Sequence, residues 1–289
     1  MKKILVTGCN GQLGRAINKE YDKDAVDFIN TDVQAGEGVT ALDITNIDKV
    51  MSLVRETKPD VIINCAAHTA VDLCEQQWDS AYRINAIGPR NLSIAAAEAK
   101  AKLIHVSTDY VFDGNGTRPY TEFDATGPNS AYGKTKLEGE NFVKDFADHY
   151  FILRTAWLYG DGKNFVKTML RLSENHEKVR VVNDQLGSPT SAEELAKMIH
   201  FLEPTENYGL FHATCEGSCS WAEFAKEIFK MAGKATIVEP VTTEEYGKDN
   251  PNQAKRPAYS ILENYMIKLT SSFTMADWQQ ALKTYMSSI

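Results

Sequence analysis

The most chemically suggestive pair in the sequence is a tyrosine and a lysine four residues apart, Tyr132 and Lys136. In a helix this spacing places both side chains one turn apart on the same face. A tyrosine with its ordinary pKa of about 10 is a poor acid–base group at neutral pH. A nearby ammonium stabilises the phenolate and lowers that pKa. The pair therefore predicts proton transfer at an alcohol or carbonyl, with a lysine that can also bind a nicotinamide ribose.

Two hydroxyl side chains, Ser107 and Thr108, end an apolar run at 103–108 that predicts a buried strand. Open parallel sheets bind their ligands at the carboxyl ends of the strands. A hydroxyl there can donate a hydrogen bond to a substrate carbonyl and favour attack by hydride. The two hydroxyls point to opposite faces of the strand. We prefer Thr108, the last strand residue, and leave Ser107 open.

A glycine-rich turn follows the first apolar run, with glycines at positions 8, 11 and 14. A dinucleotide pyrophosphate needs backbone N–H groups exposed at a helix N-terminus and no Cβ in the way. A strand before the turn and a helix after it are the context that this motif requires. We therefore predict cofactor contacts along the turn, at Gly8, Asn10, Gly11, Gln12, Leu13 and Gly14.

The second apolar run ends at Asp32, where a carboxylate can bind the adenosine ribose and repel a 2′-phosphate. This residue favours NADH, whereas Arg15 is a possible 2′-phosphate ligand and favours NADPH. The cofactor is therefore predicted as NADPH or NADH. Asp43 and Ile44 are candidates to frame the adenine, although Asp43 also fits a helix cap.

These residues require a scaffold of strands alternating with helices. The apolar runs at 3–7, 27–32, 61–66, 103–108 and 151–158 predict buried parallel strands. Helical patterns separate them at 13–21, 47–56, 80–100 and 132–146. This alternation predicts an α/β fold, a doubly wound parallel-sheet Rossmann domain spanning mainly 1–160.

The pattern changes beyond residue 160. Helical patterns at 165–174, 191–201, 221–232 and 276–285 are separated by strand-like pieces at 179–182, 210–214 and 236–241, and a loop is predicted at 244–256. Residues 161–289 are therefore predicted to form mainly a smaller mixed α/β substrate lobe, with some segments returning to the first domain.

Composition limits the class of protein. The chain of 289 residues carries a net charge of −8, which argues against a nucleic-acid or anionic-membrane binder. No apolar stretch is long enough to span a bilayer, and the first apolar run is too short for a signal peptide. An odd number of cysteines, five, without a C-x-x-C pair fits reduced thiols. We expect a cytoplasmic protein, a monomer or homodimer, with no metal predicted.

Several segments in order along the chain resemble the extended short-chain dehydrogenase/reductase superfamily and, within it, the dTDP-4-dehydrorhamnose reductases. They are 8–14, 64–72, 107–114, 132–136, 154–157, 183–190 and Arg256-Pro257. The resemblance implies a catalytic triad of Thr108, Tyr132 and Lys136. It also implies further cofactor contacts at Ala66, Ala67, His68, Thr69 and Val106, and substrate contacts at Thr69, Val71, Thr108, Asp109 and Trp157.

Five polar or aromatic candidates have structural alternatives. Trp157 also fits a core aromatic residue. Asn183 and Gln185 are predicted to orient the substrate loop or bind substrate, although they also fit a polar turn. Arg256, like Arg154, has the geometry to neutralise a pyrophosphate, but each also fits a structural ion pair.

The activity that the resemblance implies is NAD(P)H-dependent reduction of the C4 ketone of dTDP-4-dehydro-β-L-rhamnose, for surface polysaccharide. Two alternatives remain. One is a sugar-nucleotide dehydratase or epimerase, which is disfavoured because Tyr110 stands where dehydratases have a glutamate. The other is a non-catalytic dinucleotide-binding subunit resembling the regulatory partner of methionine adenosyltransferase, which the intact triad disfavours.

Overall fold

The computed structural model describes residues 1–21, 25–249 and 253–289. The chain alternates strands and helices up to residue 159. In order, the elements are β1 (Lys2–Thr7), α1 (Gln12–Glu20), β2 (Val26–Asp32), β3 (Thr40–Ala41), α2 (Ile47–Thr57), β4 (Val61–Asn64), α3 (Val71–Gln76), α4 (Trp78–Tyr82), a π-helical turn (Arg83–Ile87), α5 (Gly88–Ala99), β5 (Lys102–Thr108), a 3₁₀ turn (Asp109–Val111), α6 (Ala131–Phe146), β6 (Tyr150–Thr155) and β7 (Leu158–Tyr159).

The rest of the chain has shorter strands. They and their helices are α7 (Phe165–Ser173), β8 (Lys178–Val182), β9 (Leu186–Gly187), β10 (Thr190–Ser191), α8 (Ala192–Leu202), β11 (Gly209–His212), β12 (Cys219–Ser220), α9 (Trp221–Met231), β13 (Ile237–Val241), α10 (Thr243–Asp249), α11 (Tyr265–Thr270) and α12 (Trp278–Met286).

Within the described residues, seven strands form one parallel sheet in the order β11-β6-β5-β4-β1-β2-β3. Side chains alternate between its faces. Ile4 and Val6 pack with α1 and α8 on one face, while Leu5 packs with α2, α5 and α6 on the other. The sheet is therefore covered on both sides, and the predicted doubly wound α/β fold is confirmed.

Some of the elements after residue 160 pack against the main sheet, and others form a core of their own. β11 joins the main sheet beside β6, and α8 packs against α1, so these two segments belong with the first half of the chain. A separate apolar cluster holds α7, α9 and α12 together around Phe224, Ile228 and Leu282. The division near residue 160 stays a prediction.

Three predicted elements differ from the structure. The helix predicted at 80–100 starts at Trp78 and contains the π-helical turn, which accompanies Asn85 donating to and accepting from the His68 backbone. The strand predicted at 151–158 ends at Thr155, because Trp157 has a left-handed backbone, φ 48°. The loop predicted at 244–256 contains most of α10, and its residues 250–252 lie outside the described part.

No helix among the described residues has both the length and the apolar character to cross a membrane.

Candidate active site

The glycine turn forms a cradle at the start of α1. Gly8 has φ 66°, and a Cβ there would lie 2.8 Å from the backbone nitrogen of Ala66. A Cβ on Gly14 would lie 2.5 Å from the Gly8 carbonyl oxygen. Gly11 occupies the N-cap position and supplies no side chain to the first helical N–H groups. Those N–H groups face a cleft, which fits a dinucleotide pyrophosphate.

Asp32 lines a cleft of about 670 Å³ beside this turn. Its carboxylate accepts hydrogen bonds from the backbone N–H groups of Asn10, at 3.1 Å, and Val33, at 2.8 Å. The predicted cofactor residues that line this cleft are Gly8, Gly11, Asp32, Asp43, Ile44, Ala66, Ala67, His68 and Thr69. Their arrangement fits the adenosine half of a dinucleotide.

Two details modify the expectations for this half. Asp43 accepts from both the backbone N–H and the hydroxyl of Thr45, at 2.9 and 2.8 Å, so its carboxylate also holds its own turn. Arg15 forms an ion pair with Asp161 at 2.9 Å and lines a different cavity, beside Tyr159. Both partners of this ion pair are exposed, and the suggestion that Arg15 binds a 2′-phosphate stays a prediction.

The three proposed catalytic residues lie together in an adjoining cleft of about 510 Å³. Tyr132 and Lys136 share one face of α6, which begins after Ser130 accepts a hydrogen bond from the Gly133 N–H. The Thr108 hydroxyl lies near enough to Tyr132 to act on its pKa. The Lys136 Nζ donates to the Val106 carbonyl at 2.6 Å. The cleft also contains Gln12, Leu13, Val71 and Asp109.

The choice between the two hydroxyls of β5 follows from their partners. Ser107 donates to the buried carboxylate of Glu140 at 2.6 Å. Thr108 donates to Asp109 at 2.9 Å and also contacts Tyr132. Thr108 is therefore the hydroxyl that shares a hydrogen-bonding network with the tyrosine.

Burial sets the protonation of this group. Burial raises the pKa of Tyr132, in the direction opposite to the lowering expected from Lys136. The Lys136 ammonium donates to the Val106 carbonyl. Burial also lowers the pKa of Lys136 to about 8 and raises that of Asp109 to about 6. Tyr132 thus keeps its proton at neutral pH, as a proton donor to a ketone requires.

An aromatic pair lines the same cleft from the other side. The indoles of Trp157 and Trp221 stack with ring centroids 3.6 Å apart and planes 8° apart. Trp221 is a cleft residue that the sequence analysis missed. Its helical pattern marks it only as the start of α9, and the stacking depends on tertiary structure.

The family model described as RmlD substrate binding domain matches residues 1–289. A relative in Bacillus subtilis, spore coat polysaccharide biosynthesis protein SpsK, is 40% identical, covering 99% of this chain and 97% of the relative. The chain belongs to the dTDP-4-dehydrorhamnose reductase family.

Two solved structures of this family are close to the chain. That of a dTDP-4-dehydrorhamnose reductase from Clostridium acetobutylicum is 54% identical, with TM-score 0.94, covering 99% of each chain. That of the Bacillus anthracis enzyme, in complex with NADP, is 42% identical, with TM-score 0.92, covering 100% of this chain and 99% of the other.

The two arginines proposed to bind pyrophosphate differ in burial and in their partners. Arg154 is 2% exposed and forms a two-point ion pair with the buried Glu140 at 2.9 and 2.7 Å. It is a structural residue, because removing either partner would leave a buried charge at a cost of about 3–5 kcal/mol. Arg256 is partly exposed, pairs with Asp72 at 3.1 Å and donates to the Tyr110 hydroxyl at 3.3 Å.

Asn183 and Gln185 lie away from the catalytic cleft as the described residues define it. Asn183 accepts a hydrogen bond from the Ser220 hydroxyl at 3.0 Å. Gln185 is 3% exposed and donates to the Thr243 hydroxyl at 3.0 Å. These contacts favour the predicted loop-orienting role over direct substrate contact.

Metal ligands are a separate question. Across 1–21, 25–249 and 253–289, no group of three or more His, Cys, Asp or Glu side chains is arranged to hold a metal ion. The five cysteines are free thiols.

Proposed function

We propose that this chain reduces the C4 ketone of dTDP-4-dehydro-β-L-rhamnose to dTDP-β-L-rhamnose with NAD(P)H. One observation carries the proposal: Thr108, Tyr132 and Lys136 line the same cleft, with Lys136 one turn along α6 from Tyr132. The relatives named dTDP-4-dehydrorhamnose reductase support the choice of substrate.

In the proposed mechanism, a reduced nicotinamide bound in the cleft supplies the hydride to the ketone carbon. Thr108 exchanges its hydrogen bond to Asp109 for one to the ketone oxygen and so orients the ketone. Tyr132, protonated because burial raises its pKa, gives its proton to that oxygen as the alcohol forms. Lys136, whose ammonium donates to the Val106 carbonyl in this structure, would bind the nicotinamide ribose.

The pyrophosphate of the cofactor would bind the N–H groups at the start of α1, where the Gly8–Gly14 cradle leaves room for it. The B. anthracis structure with NADP supports use of NADPH, and Asp32 supports use of NADH as well. Both cofactors are therefore included in the proposal.

Substrate contacts are proposed for Thr69, Val71, Thr108, Asp109 and Trp157, which line the catalytic cleft. Arg256 is proposed to meet the nucleotide pyrophosphate from the side of Tyr110. The dehydratase alternative is disfavoured because Tyr110 occupies the position where dehydratases have a glutamate. The Arg256 guanidinium donates a hydrogen bond to the Tyr110 hydroxyl.

The cellular setting is also proposed. The spore coat polysaccharide protein among the relatives supports a role in making an activated sugar for surface polysaccharide. Five free thiols support a cytoplasmic location, and we propose a monomer or homodimer without a resident metal.

The test is oxidation of NADPH and of NADH by the purified chain, followed by absorbance, with and without dTDP-4-dehydro-β-L-rhamnose. We expect oxidation only when the keto-sugar nucleotide is present. A regulatory, non-catalytic subunit would bind the cofactor and leave it unoxidised, and that outcome would refute the proposal.

A further inference from the structure

Trp157 has a backbone conformation that its residue type does not favour. Its φ of 48° lies in the left-handed region, where a side chain with a Cβ is strained. Such strain persists only where the surroundings hold the residue in place, and it concentrates at functional sites. The contacts that hold Trp157 in this conformation therefore indicate the function of its side chain.

One face of the Trp157 indole is covered by Trp221, with the two rings almost parallel at 3.6 Å. The indole also lies against Gly187, where a Cβ would come within 2.5 Å of the ring. Gly187 is therefore the residue whose missing side chain makes room for Trp157. The indole is held by contacts from β9 and from the start of α9.

These two supports are tied to each other. Gly187 pairs with Cys219 in the antiparallel β9–β12 ladder, and Trp221 follows β12 directly. Ser220 fixes the start of α9 through a capping box with Glu223, and its hydroxyl also donates to Asn183. The start of α9, and with it Trp221, is therefore fixed by hydrogen bonds. Trp221 can in turn hold the indole of Trp157 in place.

Both indoles line the cleft that contains Thr108 and Tyr132, whereas neither lines the adenosine-side cleft around Asp32. We propose that Trp221 is a positioning residue for the sugar-nucleotide substrate, because its stacking keeps Trp157 in the conformation that forms the apolar wall of the catalytic cleft. This inference rests on the proposed reduction of a keto-sugar nucleotide, and it assigns the stack to that substrate and not to the cofactor.

The test compares Trp221→Ala and Trp221→Phe with the wild-type chain in steady-state reduction of the keto-sugar nucleotide. We expect Trp221→Ala to raise the KM for the keto-sugar by about 3- to 10-fold, the size of one lost aromatic stacking contact. The KM for NADPH and the kcat stay within about twofold of wild type, because the Trp221–Trp157 stack affects only the binding of the keto-sugar. Trp221→Phe keeps a flat ring and restores most of the loss.

A matched control separates positioning from stability of the lobe. Trp278 is a buried indole that packs edge-on against Phe224 in the same apolar cluster and does not line either cleft among the described residues. Trp278→Phe is expected to lower the Tm and leave both KM values unchanged. The circular dichroism contribution of two coupled indoles is expected to disappear in Trp221→Phe and to remain in Trp278→Phe.

The outcomes are distinct. If the wild-type chain oxidises no NADPH with the keto-sugar, the proposed function fails. If the wild type is active but the KM for the keto-sugar is unchanged in Trp221→Ala, or the KM for NADPH rises equally, the positioning role is overturned. Should Trp221→Ala fail to fold, Trp221→Leu replaces it, and a KM no higher than that of Trp221→Phe overturns the role.

Discussion

The two walls of the catalytic cleft are built in different ways. The cofactor wall consists of short segments at the ends of neighbouring parallel strands: the Gly8–Gly14 turn, the residues after β4 and the end of β5, with α6 beside them. The substrate wall consists of Trp157 and Trp221, which are distant in sequence and meet only through β9, β12 and α9.

This difference predicts which substitutions should affect catalysis and which should affect only substrate binding. On the cofactor wall each residue has its own chemical task, so a single substitution removes a step or a ligand site. On the substrate wall the task is shared among packed side chains, so a single substitution loosens binding and leaves the chemistry intact.

The largest effect is expected for Tyr132→Phe, which keeps the ring and removes the proton donor. Loss of a positioned general acid lowers kcat by about 100- to 10,000-fold. The KM for the keto-sugar changes little, in contrast to Trp221→Ala. Steady-state kinetics with NADPH measure both constants. A Tyr132→Phe enzyme with wild-type kcat would contradict the claim that the cofactor wall carries the chemistry and the substrate wall only binding.

A smaller effect, on cofactor affinity, is expected for Gly14→Ala. Its Cβ would lie 2.5 Å from backbone atoms of Gly8 and Cys9, so the cradle must shift. We expect the KM for NADPH to rise about 10-fold or more and the fold to lose about 1–3 kcal/mol. Gly247→Ala in α10 is the control, because no atom of the described residues lies within 4 Å of the position of its Cβ. Equal NADPH affinity in the two variants would contradict the assignment of the turn.

The smallest effect is expected from pH. Lys136, with its pKa lowered to about 8, loses its charge as pH rises through that value. Asp109, with its pKa raised to about 6, gains a proton as pH falls through that value, so Thr108 loses a charged acceptor and keeps only a weaker, neutral one. The kcat/KM profile should therefore peak between the two values.

The pH profile also compares the walls, because both titrating groups belong to the catalytic network. Trp221→Ala should lower the whole kcat/KM profile without moving either limb, while Asp109→Asn should abolish the acid limb. An acid limb that persists in Asp109→Asn would assign it to another group.

Sequence reasoning succeeded where function depends on local spacing. The strand–turn–helix context of Gly8, Gly11 and Gly14 and the helical spacing of Tyr132 and Lys136 are local, so the sheet and the catalytic group could both be predicted. It failed where tertiary structure decides. Arg154 turned out to be buried against Glu140, and nothing local distinguishes such an arginine from a phosphate ligand.

The protonation of Tyr132 was also beyond sequence reasoning, since burial and the Lys136–Val106 hydrogen bond are properties of the folded cleft. The left-handed backbone of Trp157 has the same origin, because contacts from two distant segments impose it.

The central claim is hydride transfer to the ketone carbon at the Thr108–Tyr132 pair. The most direct measurement uses NADPH with both C4 hydrogens of the nicotinamide replaced by deuterium, with the product examined by NMR and mass spectrometry. The account predicts one deuterium on C4 of the rhamnose product with the wild-type chain. A product without deuterium at C4, or deuterium at another sugar carbon, would contradict it.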